Sequence, residues 1–134
     1  MKLLPIGNNQ QKNILGSDLQ LCSCNPICSC NPKTGFFRDG FCNTSKDDIG
    51  LHTVCAIMTD EFLEFTKEQG NDLSTPNPEH QFPGLKTGDR WCVCASRWID
   101  AMRAHKAPPL ILESCHESLL ELVSLEELKK YTYQ

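Results

Sequence analysis

The chain has 134 residues, 40% of them hydrophobic and 22% charged, which suits one globular domain and is too few residues for two. Its net charge is −4 and no more than two Lys or Arg residues stand together, so it lacks the basic stripe that nucleic-acid binding requires. No apolar run approaches the length that spans a membrane.

From the N-terminus, Met1–Ile6 is too short for a signal-peptide core, and the expectation is a cytoplasmic chain. Residues 1–20 are polar and rich in Asn and Gln and read as a loosely ordered arm, with a single domain over 21–134. Nine cysteines form the unusual part of the composition. With an odd count and no export signal, free, buried, metal-bound or catalytic thiols rank ahead of disulfides.

Cys22-Ser23-Cys24-Asn25-Pro26 is followed at once by Cys28-Ser29-Cys30-Asn31-Pro32, a local duplication too short for a repeat fold. Asp39-Gly40, between Phe36-Phe37-Arg38 and Phe41-Cys42, signals a hairpin. Residues 51–58 are nearly all apolar and predict a strand covered on both faces. Regular alternation there would put His52 and Cys55 on opposite faces. Thr59 is placed to cap a helix that runs to Gly70, with Asp60 and Glu61 at its positive end.

Residues 71–89 carry three prolines and two glycines, a long connection that Leu73, Phe82 and Leu85 should hold against the body. Residues 90–95 predict a second buried strand, 96–105 a helix and 110–113 a third strand. Ser114-x-x-Glu117 and Ser124-x-x-Glu127 read as capping boxes that open two short helices. The fold class expected is α+β: a small mixed β-sheet with an N-terminal hairpin and about four short helices, a small α/β sandwich being the alternative.

Cys92 and Cys94, two apart on a strand, share a face and could give two ligands to a soft metal, zinc being possible; they could equally be small core hydrophobes. The loop set Cys22, Cys24, Cys28 and Cys30 has the ligand count for zinc or copper(I). His116 lies in a helix's first turn, and Asp72 follows a helix stop, where an Asx-type role is expected. Arg38, Asp39 and Arg90 stand at element ends, where binding groups usually sit. No phosphate-binding loop, dinucleotide fingerprint, Gly-x-Ser-x-Gly elbow or His-Glu-x-x-His helix is present.

Thr34-Gly35-Phe36-Phe37-Arg38-Asp39-Gly40-x-Cys42, His52-Thr53-Val54-Cys55-Ala56, Gly70-Asn71-Asp72-Leu73-Ser74-Thr75-Pro76, and Phe82-Pro83-Gly84-Leu85 through Gly88-Asp89-Arg90-Trp91-Cys92-x-Cys94 occur in order. From about Asn13 to the C-terminus the chain resembles a family of small, mostly bacterial proteins called domain of unknown function 2237. The resemblance implies one domain and no established activity. It also implies one cysteine before the Thr-Gly-Phe-Phe string, so one Cys-Ser-Cys-Asn-Pro copy reads as an insertion that leaves Cys24 and Cys30 outside the shared pattern.

The matched positions Cys42, Cys55, Cys92, Cys94, Arg38, Asp39, His52, Asp72, Arg90 and His116 are the candidate site residues. Three functions fit them: a thiol-centred enzymatic or redox site, a non-catalytic module that binds a small anionic ligand or a peptide through Arg38 and Arg90, and a structural zinc or copper domain.

Overall fold

The computed structural model describes residues 11–22, 34–37, 39–80 and 82–133. Strand β1 (His52–Ile57) pairs antiparallel with β2 (Arg90–Cys94), and helix α1 (Asp60–Glu68) follows β1 as α2 (Ala95–Arg103) follows β2. Helix α3 (Leu125–Lys129) ends the chain's regular structure, after 3-10 turns at Pro78–His80, Leu112–Ser114 and Glu117–Glu121. The protein is thus a small α+β fold.

Thr59 opens α1 by accepting from the Phe62 N–H through its hydroxyl, and Asp60 and Glu61 face the positive end of the helix dipole. Phe62 and Leu63 turn into the core, as the amphipathic spacing requires. Helix α2 buries Ala95, Trp98 and Ala101, and the Trp98 indole N–H finds the Pro108 carbonyl at 3.1 Å. Trp98 also meets Tyr131 edge-on at 5.0 Å between ring centroids.

β1 is nearly continuous in apolar residues because both its faces are buried, from Thr53 through Ala56, and both its edges are occupied as well. β2 lies along one edge; on the other, Ile57 donates to Pro109, Ile111 donates to Cys55 and His116 donates to Thr53. Val54, Ala56 and Met58 are fully buried there with Leu110 and Leu119. The long connection packs as expected: Leu85 is buried, and Phe82 meets the Trp91 ring edge-on at 5.3 Å. Gly84 is required in it, since a Cβ there would lie 2.3 Å from the Ser74 carbonyl oxygen.

Three local expectations change. Among the described residues, 34–44 form turns and bends, with no hairpin around Asp39-Gly40, so the sheet has two antiparallel strands and is not mixed. Residues 110–113 touch β1 only through an Ala56–Leu110 bridge before turning into a 3-10 turn; Pro109 before them lacks the N–H that a ladder needs. The Ser114 hydroxyl donates to the Leu21 carbonyl, and the cap of the following turn passes to His116, whose Nδ1 accepts from the Ser118 N–H. The Ser124 box forms as expected.

Within the stretch read as a loose arm, residues 11–20 lie against the body. Asn13, only 1% exposed, donates through its amide to Ser17 Oγ and to the carbonyls of Asp18 and Glu113, and accepts from the N–H groups of Leu15 and Ser17. Asn13→Ala leaves several of these groups buried and unpaired, so the expected loss is about 3 kcal/mol in the free energy of unfolding, measured by urea denaturation.

Candidate functional site

The pairing of β1 with β2 sets the site. Val54 faces Val93, Cys55 faces Cys92 and His52 faces Cys94, with an irregularity between His52 and Val54. A regular ladder would put Thr53 opposite Cys94; the extra residue is a β-bulge that delivers His52 there instead. Cross-strand partners share a face, as do residues two apart, so one face of this ribbon presents Cys55, Cys92, Cys94 and His52. Nothing in residues 51–58 read as a strand pattern announces the bulge, and regular alternation separates His52 from every cysteine on that face.

His52 stands between a carboxylate and a thiol. Its Nδ1 is 2.7 Å from Asp48 Oδ1, and its Nε2 is 3.9 Å from the Cys94 sulfur. Asp48 is 1% exposed, and its other oxygen accepts from the Thr44 hydroxyl at 3.0 Å and the His52 N–H at 2.9 Å. With its oxygens so occupied, the carboxylate orients the ring with Nδ1–H toward itself and leaves Nε2 facing sulfur. The sulfur contact, aided by Asp48 and opposed by burial, raises the His52 pKa to about 9.

Cys94 is half-buried and serves as the N-cap residue of α2. That places Cys94 at the start of a nine-residue helix, with its sulfur 3.9 Å from the His52 ring nitrogen.

The loop 48–51 closes around this pair. A Cβ at Gly50 would lie 2.8 Å from the Cys94 sulfur and 2.9 Å from His52 Cε1, so any side chain there would push the sulfur and the ring aside. Leu51 takes φ 51, a left-handed conformation unusual for leucine, and its carbonyl accepts from the Ala95 N–H that opens α2. The Phe36 ring stacks on His52 at 6.4 Å between centroids, and Phe37 meets Phe36 edge-on. Phe36, Phe37 and Leu51 are exposed, and Ile49 is 92% exposed.

The remaining candidate cysteines are paired. Cys22 is bonded to Cys55 and Cys42 to Cys92, with Cα atoms 5.6 and 5.4 Å apart, inside the disulfide range. This corrects the ranking of free thiols above disulfides. The fold brings together cysteines 33 and 50 residues apart in sequence, a proximity that spacing does not reveal. The sulfurs of Cys22, Cys42 and Cys92 all lie within 4.8 Å of one another. Cys94 stands outside that group and faces His52. Cys115 is free and fully buried, and burial pushes its thiol up to about 12. Cys24, Cys28, Cys30 and Arg38 lie outside the described residues.

Asp39 accepts from the Phe41 N–H and the Asn43 amide, which holds its own turn. Asp72 accepts from the N–H groups of Ser74 and Thr75 and from the Thr75 hydroxyl, an Asx turn that lowers its pKa. His116 has its pKa lowered by burial. Arg90 borders a groove of about 530 Å³ that Ser17, Gln20, Glu113 and Tyr133 also line. None of these four joins the thiol. The members missed in the sequence are Asp48 and Gly50, and the signal that could have found them is Asp48-x-Gly50-x-His52 ahead of a strand.

Fold and site together define a small α+β domain with a carboxylate–imidazole–thiol alignment at a helix start. Residues 12–132 match the family described as uncharacterised protein conserved in bacteria, domain of unknown function 2237, and the chain belongs to that family. No curated protein matches it. No described helix is long and apolar enough to cross a membrane.

Because the folded-state pKa of His52 exceeds its ordinary value of 6.5, its contribution to stability is fully present below about pH 6.5 and is lost as pH rises through about 9. Wild type should therefore exceed His52→Gln in melting temperature at pH 6, and the gap should narrow by pH 9.5 in paired thermal scans.

Proposed function

We propose that this protein is a cysteine-nucleophile enzyme that transfers or hydrolyses an acyl group at Cys94. The observation carrying this reading is the Asp48–His52–Cys94 alignment, with Cys94 at the N-terminus of α2. Nucleophile, base and orienting group stand in the order that activates a thiol, and the 3.9 Å approach is the looser spacing seen without substrate.

The chemistry follows from these positions. The Cys94 thiolate attacks the acyl carbon, forming a C–S bond as the bond to the leaving group breaks. His52 gives its Nε2 proton to the departing atom. Water then attacks the thioester while Nε2 takes back a proton, releasing the acid and restoring the thiolate–imidazolium pair. Asp48 holds the ring in one tautomer throughout and is a positioning residue. The first-turn N–H groups of α2 have no acceptor within the helix, and this reading assigns to them the developing oxyanion. The exposed Phe36, Phe37, Ile49 and Leu51 favour an apolar acyl group over a charged one.

p-Nitrophenyl butyrate serves as the probe. The expected result is one butyryl group on the Cys94 peptide by mass spectrometry, with a matching burst of p-nitrophenol. Cys94→Ser should abolish the burst, and His52→Gln should slow it by about 100-fold or more. Acylation spread evenly over other thiols, or a burst unaffected in His52→Gln, contradicts the reading.

A further inference from the structure

Cys22, Cys42, Cys55 and Cys92, which the thiol site does not use, lie in the body of the fold beside it. Cys55 and Cys92 face each other across the ladder, so their positions are fixed by the sheet. Cys22 and Cys42 come from irregular segments on either side of the Thr34 turn and are tied to the same spot. Cys22 donates its N–H to the Gly40 carbonyl at 2.7 Å, and Cys92 donates its N–H to the Thr34 hydroxyl oxygen at 2.6 Å. Exposure is 0% for Cys22, Cys42 and Cys55 and 1% for Cys92.

Sulfurs around a tetrahedral zinc lie roughly 3.8 Å apart, as bonds of about 2.3 Å dictate. The Cys22, Cys42 and Cys92 sulfurs already lie within 4.8 Å of one another, and the Cys55 sulfur is bonded to that of Cys22. Opening the two S–S bonds leaves the Cys22, Cys42 and Cys92 thiols within 4.8 Å of one another, with Cys55 beside Cys22 as the fourth ligand. Ligation then requires the Cys55 sulfur to close on the other three.

We infer that the reduced protein holds one soft, thiophilic cation of the zinc class between Cys22, Cys42, Cys55 and Cys92, and that the two disulfides are the oxidised form of this site. In the conversion a dithiol reductant gives two electrons and two protons to each S–S bond and is itself oxidised to a disulfide. Binding of the cation then displaces protons from the four thiols. Cys94 takes no part, so this centre is independent of the acyl chemistry proposed for it. Its ligands are soft sulfur only, which selects zinc over magnesium or calcium.

The test uses the full chain reduced anaerobically with a phosphine and given zinc, with cobalt(II) as a spectroscopic stand-in. The expected result is one zinc per chain retained through gel filtration, with tetrahedral thiolate bands in the cobalt form. Differential alkylation of the wild type should find Cys22, Cys42, Cys55 and Cys92 protected by zinc and exposed after chelation. This readout needs no variant and so survives any failure of a cysteine mutant to fold. Cys94→Ser and the triple replacement of Cys24, Cys28 and Cys30 by Ser should keep full stoichiometry, and Cys42→Ser should lose it. Reduced wild type without stoichiometric zinc overturns the inference, as does protection that maps to Cys24, Cys28, Cys30 or Cys94.

Discussion

The structure depends on one irregularity, the extra residue that β1 carries opposite Cys94. Because Thr53 is accommodated as a bulge, the ladder keeps Cys55 opposite Cys92 and still brings His52 opposite Cys94. A ribbon without it would turn His52 to the other face and separate the imidazole from the thiol. The bulge is held from outside the pair. Thr53 donates its N–H to the Leu51 carbonyl, while its own carbonyl accepts from His116, so its backbone groups are satisfied away from β2. The same local bend brings the Leu51 carbonyl onto the first N–H of α2, which couples the loop 48–51 to the helix that presents the sulfur.

That loop shows the features of a site held under constraint. A buried carboxylate is costly unless hydrogen bonds and a charge partner satisfy it, and Asp48 has both in Thr44 and His52. Leu51 at φ 51 costs on the order of 1–3 kcal/mol that no packing need explains, since its side chain is exposed. A side chain at Gly50 would push the sulfur aside. These features align along one short segment and converge on one thiol, as expected of positioning groups. The disulfides at Cys55 and Cys92 secure the middle of the ribbon, so the strand pair is tied to Cys22 and Cys42 by covalent bonds and to α2 by the loop.

Much of the fold was legible because its signals are local. Thr59, Asp60 and Glu61 announce α1, the unbroken apolar run announces a strand covered on both faces, and Ser124-x-x-Glu127 announces α3. The errors arose where tertiary contacts overrode local preference. Ser114 was drawn to the Leu21 carbonyl and gave up its cap, Pro109 denied residues 110–113 a ladder, and Asp39-Gly40 turned without strands to join. The site was legible only as an inventory. His52, Cys94 and the paired cysteines could be named, yet their grouping depends on a bulge and on contacts 33 to 50 residues apart. Asp48 looked like one acidic residue among others until burial set it apart.

The site stands or falls on whether His52 owes its raised pKa first to the Cys94 sulfur. The most direct measurement is an NMR titration of the His52 ring in native protein, before and after capping the Cys94 sulfur with a methyl group. A midpoint near 9 that falls toward the ordinary value of about 6.5 once the sulfur is capped is the predicted result. An unchanged midpoint after capping would contradict it and would leave Cys94 a half-buried thiol with no partner in chemistry.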